Sequence, residues 1–209
     1  MVRTACTVLL IVSLLGVAAC GGDDGDGGGA TAAGSDEPQP AKVNVERFLM
    51  QAGEVPGFEP VEEPRTDQGV QSLAGGFSAD ELERLRRAGF ISITFQPLSG
   101  DDHNAGVTTV LLFRTAGGAR DWLEYETSDA GIDSAVPGAE PKRFKVGGVP
   151  GARGWTGRDR HDNRIGHVYW VQGRCEMVLG NEGEGDFIKP LSIGAKAIYD
   201  RTKGVCPAQ

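Results

Sequence analysis

The sequence has 209 residues, of which 39% are hydrophobic and 24% are charged, and its formal net charge at pH 7 is -8. Once a leader and a linker are set aside, the remaining length fits one ordinary domain with a real core. The acidic balance argues against general nucleic-acid binding.

The chain starts with an apolar segment that is too short to span a membrane. Arg3 is the only charge before Asp23, and the apolar run covers residues 8–17. A membrane-spanning helix needs roughly 20 apolar residues. The pattern therefore predicts a secretory signal peptide over residues 1–19.

The end of this segment reads Leu14-Leu15-Gly16-Val17-Ala18-Ala19-Cys20, which resembles the lipobox of bacterial lipoproteins. The resemblance implies cleavage before Cys20 and attachment of a lipid to that cysteine. An ordinary signal peptide cut near Ala19 and an uncleaved anchor helix are the alternatives. Residues 20–42 are rich in glycine and aspartate, a composition that predicts a disordered tether.

Helix signals follow in the first part of the domain expected over residues 43–209. Apolar residues 45, 48, 49 and 52 share one helical face, and Gly53 ends that pattern. Ser78 and Glu81 have the spacing of a capping box, and Gly89 suits the C-terminal end of the same helix.

Two hairpins, each followed by a helix, are predicted in the rest of the domain. Residues 90–98 and 107–114 form the first hairpin, and residues 165–171 and 174–179 form the second. A helix over residues 115–127 follows the first hairpin, and an apolar helical stripe from Phe187 to Ile198 follows the second. Pro190 is compatible with the first turn of that last helix.

This order of elements predicts an α+β domain. We expect an antiparallel sheet of about five to six strands, with two longer helices covering one face and short N-terminal helices elsewhere. The lipobox, the excess of arginine over lysine (15 against 6) and the turn "GGVPGARGW" resemble small actinobacterial envelope lipoproteins, some of which have a PsbP-like fold. The resemblance implies an antiparallel sheet between helices.

The cysteines point to one disulfide. Cys6 lies in the predicted signal peptide and Cys20 is the predicted lipid site, which leaves Cys175 and Cys206 for an oxidising compartment. The spacing typical of zinc or redox sites is absent, so a structural disulfide is expected between them.

Motifs for catalysis are missing. His103, His161 and His167 do not have metal-ligand spacing, and there is no serine-hydrolase or phosphate-loop signature. We therefore expect no catalytic set, no cofactor and no metal. A pair of carboxylates of the kind that glycoside hydrolases use leaves one enzymatic alternative open, a small envelope hydrolase.

Residues 141–165 form a basic segment with a local charge of +5 in a domain whose total is -5. Its cations either offset neighbouring acids on a solvated surface or form an anionic ligand site with Trp155 as an apolar floor. The candidate binding residues are Arg143, Lys145, Arg153, Trp155, Arg158 and Arg160.

These observations predict a membrane-anchored cell-envelope lipoprotein that acts as a binding or interaction module. Its expected location is extracytoplasmic. Its expected partners are the membrane, through the lipid on Cys20, and an anionic lipid, an envelope polymer or another envelope protein, with no nucleic acid.

Overall fold

The computed structural model describes residues 43–101 and 104–208, so the predicted signal peptide, Cys20, the tether and His103 lie outside the described residues. Within the described part, eight strands are present: β1 (Phe58–Pro60), β2 (Arg65–Gln68), β3 (Phe90–Gly100), β4 (Ala105–Phe113), β5 (Lys142–Lys145), β6 (Arg153–Arg158), β7 (Arg164–Gln172) and β8 (Cys175–Gly183). The helices in these ranges are α1 (Ala79–Arg87), α2 (Ala116–Glu126), α3 (Asp129–Ala135) and α4 (Ile188–Thr202), with short 3-10 helices at Val45–Phe48 and Val70–Leu73.

All eight strands belong to one antiparallel sheet with the order β1-β3-β4-β8-β7-β6-β5, and β2 also pairs with β3. The α+β class and both predicted hairpins, β3–β4 and β7–β8, are confirmed. The expected number of five to six strands was too low. The proline-containing segment before α1 supplies β1 and β2, which pair with different stretches of the long strand β3.

The two longer helices lie on opposite faces of the sheet, which corrects the expectation that both cover one face. Leu191 and Ile198 of α4 pack with Trp170, whereas Trp122 of α2 packs with Tyr169. Tyr169 and Trp170 are neighbours in β7 and point to opposite faces. Both are nevertheless buried, at 3% and 1% exposure, because each face has its own helix cover.

Local signals set the ends of α1 and α2. The Ser78 hydroxyl accepts a hydrogen bond from the Glu81 amide, and the Glu81 carboxylate accepts one from the Ser78 amide, which completes the predicted capping box. Thr115 caps α2 by accepting from the Gly118 amide at 3.1 Å. The first predicted helix is only a 3-10 turn, Val45–Phe48, which holds the buried Phe48 against the α4 face.

The predicted disulfide joins Cys175 of β8 to Cys206 in the tail after α4. The tail crosses the tight β7–β8 turn, where Gly173 has a φ of 56° and a side chain would meet the Cys206 carbonyl oxygen at 2.2 Å. A glycine is required at this position for both reasons. The disulfide therefore fastens the end of the chain to the central strand of the sheet.

Candidate functional site

The candidate site begins with the pairing of β5 and β6 at one edge of the sheet. In this register Arg143 lies opposite Trp155, and Lys145 lies opposite Arg153. Because alternate residues of a strand share a face, these four positions all belong to the face that α2 covers. The fold thus brings together four of the six candidate binding residues.

These residues line a groove of about 370 Å³ between the sheet edge and the end of α2. Thr127, which follows the last residue of α2, forms part of its wall. Phe144 also borders the groove, although its side chain packs against the core of the α4 face. Trp155 is only 2% exposed, so most of its indole ring is buried behind the groove. The groove is therefore basic at its surface and aromatic beneath.

Two of the three groove cations already have partners on the helical side. Arg143 Nη2 lies 2.6 Å from Asp129 Oδ1 and donates to the Thr127 carbonyl oxygen at 3.3 Å. Arg153 pairs with Glu124 and donates to Thr127 Oγ1 at 2.8 Å. Its hydrogen bond holds the pKa of the Glu124 carboxyl below the ordinary value. Lys145 is exposed and has no ion-pair partner among the residues that the structure describes.

The other two candidate residues lie away from this groove. Arg158 is three residues after Trp155 on β6, so its side chain points to the opposite face, where it pairs with Asp162 at 3.0 Å. Arg160 lies in the exposed β6–β7 loop and donates to the His161 ring at 3.1 Å. The strand geometry therefore separates Arg158 and Arg160 from the other four candidate binding residues.

A second cavity, of about 660 Å³, contains Arg158. Its wall carries three basic and three acidic side chains, namely Lys142, Arg158, Arg164, Glu140, Asp159 and Asp186. Asp159 is bonded to the Asn163 side chain and to the amides of residues 161 and 163. This cavity has no net charge, unlike the basic groove.

Three aromatic rings are stacked behind the basic groove. The Trp155 and His167 rings are parallel within 4° with centroids 4.9 Å apart, and the Tyr169 ring follows at 5.7 Å from His167. The Tyr169 hydroxyl lies 3.0 Å from His167 Nδ1. Burial lowers the pKa of His167 to about 4, so the imidazole is neutral at physiological pH and shares one hydrogen bond with the tyrosine hydroxyl.

Beside this stack, α2 and β8 bring two carboxyl groups together, Glu126 and Glu176. Glu176 is fully buried, and it lies on the α2 face opposite Leu111 and Val171 of the neighbouring strands. Burial raises the pKa of Glu126 to about 7. Burial, followed by the charge of Glu126, raises the pKa of Glu176 well above its ordinary value. We call Glu126 and Glu176 the carboxyl pair.

The carboxyl pair was not predicted as a site, because its members are 50 positions apart and belong to different kinds of element. One signal was available in the sequence. Glu176 interrupts an otherwise apolar run in "CEMVLG", and a strand covered on both faces has no solvent side for such a carboxylate. An acidic residue in an apolar strand that is covered on both faces therefore indicates one of two things. Either the carboxylate has a buried partner, or the carboxyl group is protonated.

Neither a metal site nor a membrane helix is found in the described ranges. Over residues 43–101 and 104–208, no three histidine, cysteine or acidic residues are grouped so that they could hold a metal ion. No helix in that same part of the chain is both long and apolar enough to cross a membrane.

Comparison with known proteins adds two distant structural matches. No protein-family model matches the sequence, and no curated protein matches it. The extracellular domain of PknH from Mycobacterium tuberculosis aligns with 17% identity and a TM-score of 0.48, over 78% of this chain and 98% of that domain.

A putative uncharacterized protein, the Rv0999 ortholog from Mycobacterium smegmatis, aligns with 8% identity and a TM-score of 0.42, over 70% of this chain and 89% of that chain. Similarity at this level does not establish a shared activity. The function proposed below therefore rests on the residues of this chain.

Proposed function

We propose that this protein is an extracytoplasmic binding module, tethered to a membrane by a lipid on Cys20, that takes a phosphate-type anion of the cell envelope in its basic groove. The observation that carries this proposal is the β5–β6 register, which places Arg143, Lys145 and Arg153 on one side of a single groove. Phosphate recognition commonly uses such convergent cations.

Two features support the proposed location. Cys175 and Cys206 form a disulfide, and such bonds persist mainly outside the reducing cytosol. The short apolar N-terminal segment ends at Ala19-Cys20 with the pattern of a lipobox. The glycine- and aspartate-rich composition of residues 21–42 predicts a tether that would let the domain face the membrane surface.

The ion pairs of the groove are compatible with ligand binding. The Arg143 and Asp129 side chains are 52% and 84% exposed, and the Arg153 and Glu124 side chains are 41% and 65% exposed. Pairs this exposed contribute less than about 1 kcal/mol each, so an incoming phosphate can replace their carboxylates. Lys145 adds a cation that no acid of the described residues neutralises.

The carboxyl pair does not support the hydrolase alternative. A glycosidase needs two carboxyl groups that face the substrate. Glu176 is fully buried, and neither Glu126 nor Glu176 belongs to the wall of either cavity described above. We therefore favour binding over hydrolysis for this domain.

Vesicle binding tests the groove. The mature chain from residue 20, carrying Cys20→Ala so that no lipid is attached, is expected to sediment with phosphatidylglycerol vesicles at low salt and to lose this binding as salt rises. Phosphatidylcholine vesicles provide the neutral comparison. Titration with soluble glycerol phosphate separates recognition of the head group from recognition of a membrane surface.

A matched pair of charge reversals locates the binding site. Lys145→Glu is expected to weaken vesicle binding at least about tenfold, since each cation near an anionic surface contributes about 1 kcal/mol. Arg158→Glu makes the same change in net charge on the far side of β6 and is expected to bind almost as well as the parent. Equal losses in the two variants, or no binding at low salt, would contradict the groove proposal.

Lipid attachment is tested separately. The wild-type precursor is expected to incorporate a fatty-acid analogue in a bacterial host, and the Cys20→Ala precursor is expected to incorporate none. Equal labelling of the two proteins would rule out Cys20 as the anchor without affecting the groove.

A further inference from the structure

We propose that the carboxyl pair is a proton-controlled latch for the basic groove: with a bound proton it holds the end of α2 on the sheet, and without one it releases that end, so that the groove arginines lose their anchor. This inference rests on the proposed binding function of the groove. It assigns a role to two buried acids that binding itself does not use.

The carboxyl pair lies where the end of α2 meets the middle of the sheet. Glu126 is the last residue of α2, and Glu176 lies in β8, which pairs with β4 and β7 in the middle of the sheet. Glu126 Oε2 and both Glu176 carboxyl oxygens are buried and find no donor as long as both groups are ionised. A single proton allows one carboxyl group to donate to the other. The same contact is thus repulsive or attractive according to its proton content.

Thr127 connects the carboxyl pair to the basic groove. Thr127 follows Glu126 directly and is 7% exposed. Its hydroxyl donates to the Leu123 carbonyl oxygen at 2.7 Å and accepts from Arg153 at 2.8 Å, and its own carbonyl oxygen accepts from Arg143. Displacement of the α2 end by repulsion at Glu126 would therefore remove the anchor of both groove arginines.

Other charged and titratable groups surround the carboxyl pair. On the helical side, α1 contributes Glu81, whose charge further raises the pKa of Glu126. Helix α2 contributes Tyr125 and the Trp122 indole N–H, which lowers the pKa of Glu126. Glu81 also accepts from Ser134 of α3, and Asp129 of that helix is engaged with Arg143.

On the sheet side, the neighbouring groups are neutral or already engaged. Burial and then the charge of Glu126 raise the pKa of Tyr169 in β7 well above its ordinary value, and His167 is neutral. Arg153 of β6 is engaged by Glu124. Arg174, just before β8, is 1% exposed, and its main chain bonds Phe113 and Pro207 near the disulfide-linked tail. None of these groups is among the causes that lower the pKa of the pair.

The direction of the response follows from this environment. Below about pH 7 the pair retains a proton, and the α2 end stays on the sheet. As pH rises past this value, Glu126 gains a negative charge that its position against β8 disfavours, and separation of α2 from β8 becomes favourable. Binding of an anion is therefore expected to weaken at alkaline pH, although the charges of Lys145 and the arginines do not change in this range.

The test measures both the latch and the binding across the same pH range. Vesicles of phosphatidylglycerol are suitable because their phosphodiester charge stays constant between pH 6 and pH 8.5. For the mature Cys20→Ala chain we expect binding to weaken about tenfold over this range, together with faster hydrogen exchange of the Thr127 amide, corrected for its intrinsic pH dependence.

Glu176→Gln keeps the size of the side chain and supplies a permanent donor to Glu126, so this variant is expected to bind and exchange almost independently of pH. Glu126→Gln provides the same comparison if Glu176→Gln does not fold. Asp121→Asn removes an exposed carboxylate from the same helix and is expected to respond to pH like the parent.

The outcomes separate the latch from the proposed function. Absence of vesicle binding at pH 6 would contradict the groove function, and the latch would then be judged on Thr127 exchange alone. If the hydrogen-exchange rate of the Thr127 amide changes with pH in the same way in the parent and in Glu176→Gln, the latch proposal is overturned. Binding at pH 6 that stays constant to pH 8.5 would also overturn the latch and leave the groove function intact.

Discussion

The two faces of the sheet are built from different chemistry. The α4 face buries apolar side chains such as Trp170, Leu191 and Ile198 together with the disulfide, and its buried Gln172 and Thr202 side chains are bonded to each other at 3.1 Å. The α2 face holds ionisable groups, of which Tyr169 and Glu176 are buried and Glu126 and His167 are half-buried. The α4 face therefore depends mainly on apolar contacts and the disulfide, and the α2 face makes stability depend on protons.

The basic groove is on the α2 face, and its arginines are anchored to the residue that follows Glu126. On the α4 face the tail is covalently attached to β8, and Arg201 in the last turn of α4 pairs with Glu54 at 2.6 Å. The four predictions below test this difference, beginning with the largest expected effect.

Removal of the disulfide should destabilise the α4 face without introducing a pH dependence. The bond closes a separation of 31 residues, which corresponds to about 3 to 4 kcal/mol in the loop-entropy estimate. The double variant Cys175→Ser, Cys206→Ser is expected to lose this amount in urea unfolding at both pH 5 and pH 8. A loss that differs strongly between the two pH values would contradict the contrast between the faces.

Glu176→Gln should stabilise the protein at alkaline pH. From pH 4.5 to about pH 7 and beyond, the carboxyl pair of the folded protein holds protons that the unfolded chain has already released. The free energy of unfolding therefore falls as pH rises through this range. At pH 8 the variant is expected to gain about 2 kcal/mol over the parent, with little difference at pH 4.5. Urea unfolding at several pH values measures this effect, and parallel curves for parent and variant would contradict it.

His167→Phe should stabilise the protein at acidic pH, whereas Glu176→Gln should stabilise it at alkaline pH. The unfolded chain binds a proton at this histidine below about pH 6.5, whereas the folded ring stays neutral to about pH 4, so the parent loses stability as pH falls through this window. Phenylalanine retains a ring to stack on Trp155 and cannot titrate. The variant is expected to avoid an acid loss of up to about 3 kcal/mol. A constant offset for the lost Tyr169 hydrogen bond applies at every pH.

Asp129→Asn should have the smallest effect on stability and a visible effect on binding. Its pair with Arg143 is exposed, so the free energy of unfolding is expected to change by less than about 1 kcal/mol. Loss of the competing carboxylate should make vesicle binding tighter by a few-fold. Weaker binding in this variant would mean that Asp129 positions Arg143 for the ligand and does not compete with it.

Much of the local structure was predictable from short-range patterns. The Ser78–Glu81 capping box, the two hairpins and the helix with Pro190 in its first turn are all present, because caps, turns and side-chain periodicity act over a few residues. The first predicted helix is shorter than its pattern indicated. The strands β1 and β2 were missed because their pairing with β3 depends on a strand about 30 positions away.

The candidate site was predictable only in composition. The basic segment and Trp155 were identified by charge and aromatic content, which are properties of the chain. The separation of Arg158 from Arg153 depends on which face of β6 each residue takes, and the register with β5 decides which cations share the groove. No count of charges along residues 141–165 contains that information.

The sequence by itself determined the α+β class, the disulfide pairing and the positions of the hairpins and helix caps, because each depends on local spacing or on the few cysteines that remain. Only the tertiary structure decided that α2 and α4 take opposite faces and that both Tyr169 and Trp170 are therefore buried. The tertiary structure also brought the Glu126 and Glu176 carboxyl groups together. The physical reason is that burial and charge interactions depend on distances in space, and 50 residues of chain leave those distances open until the sheet has formed.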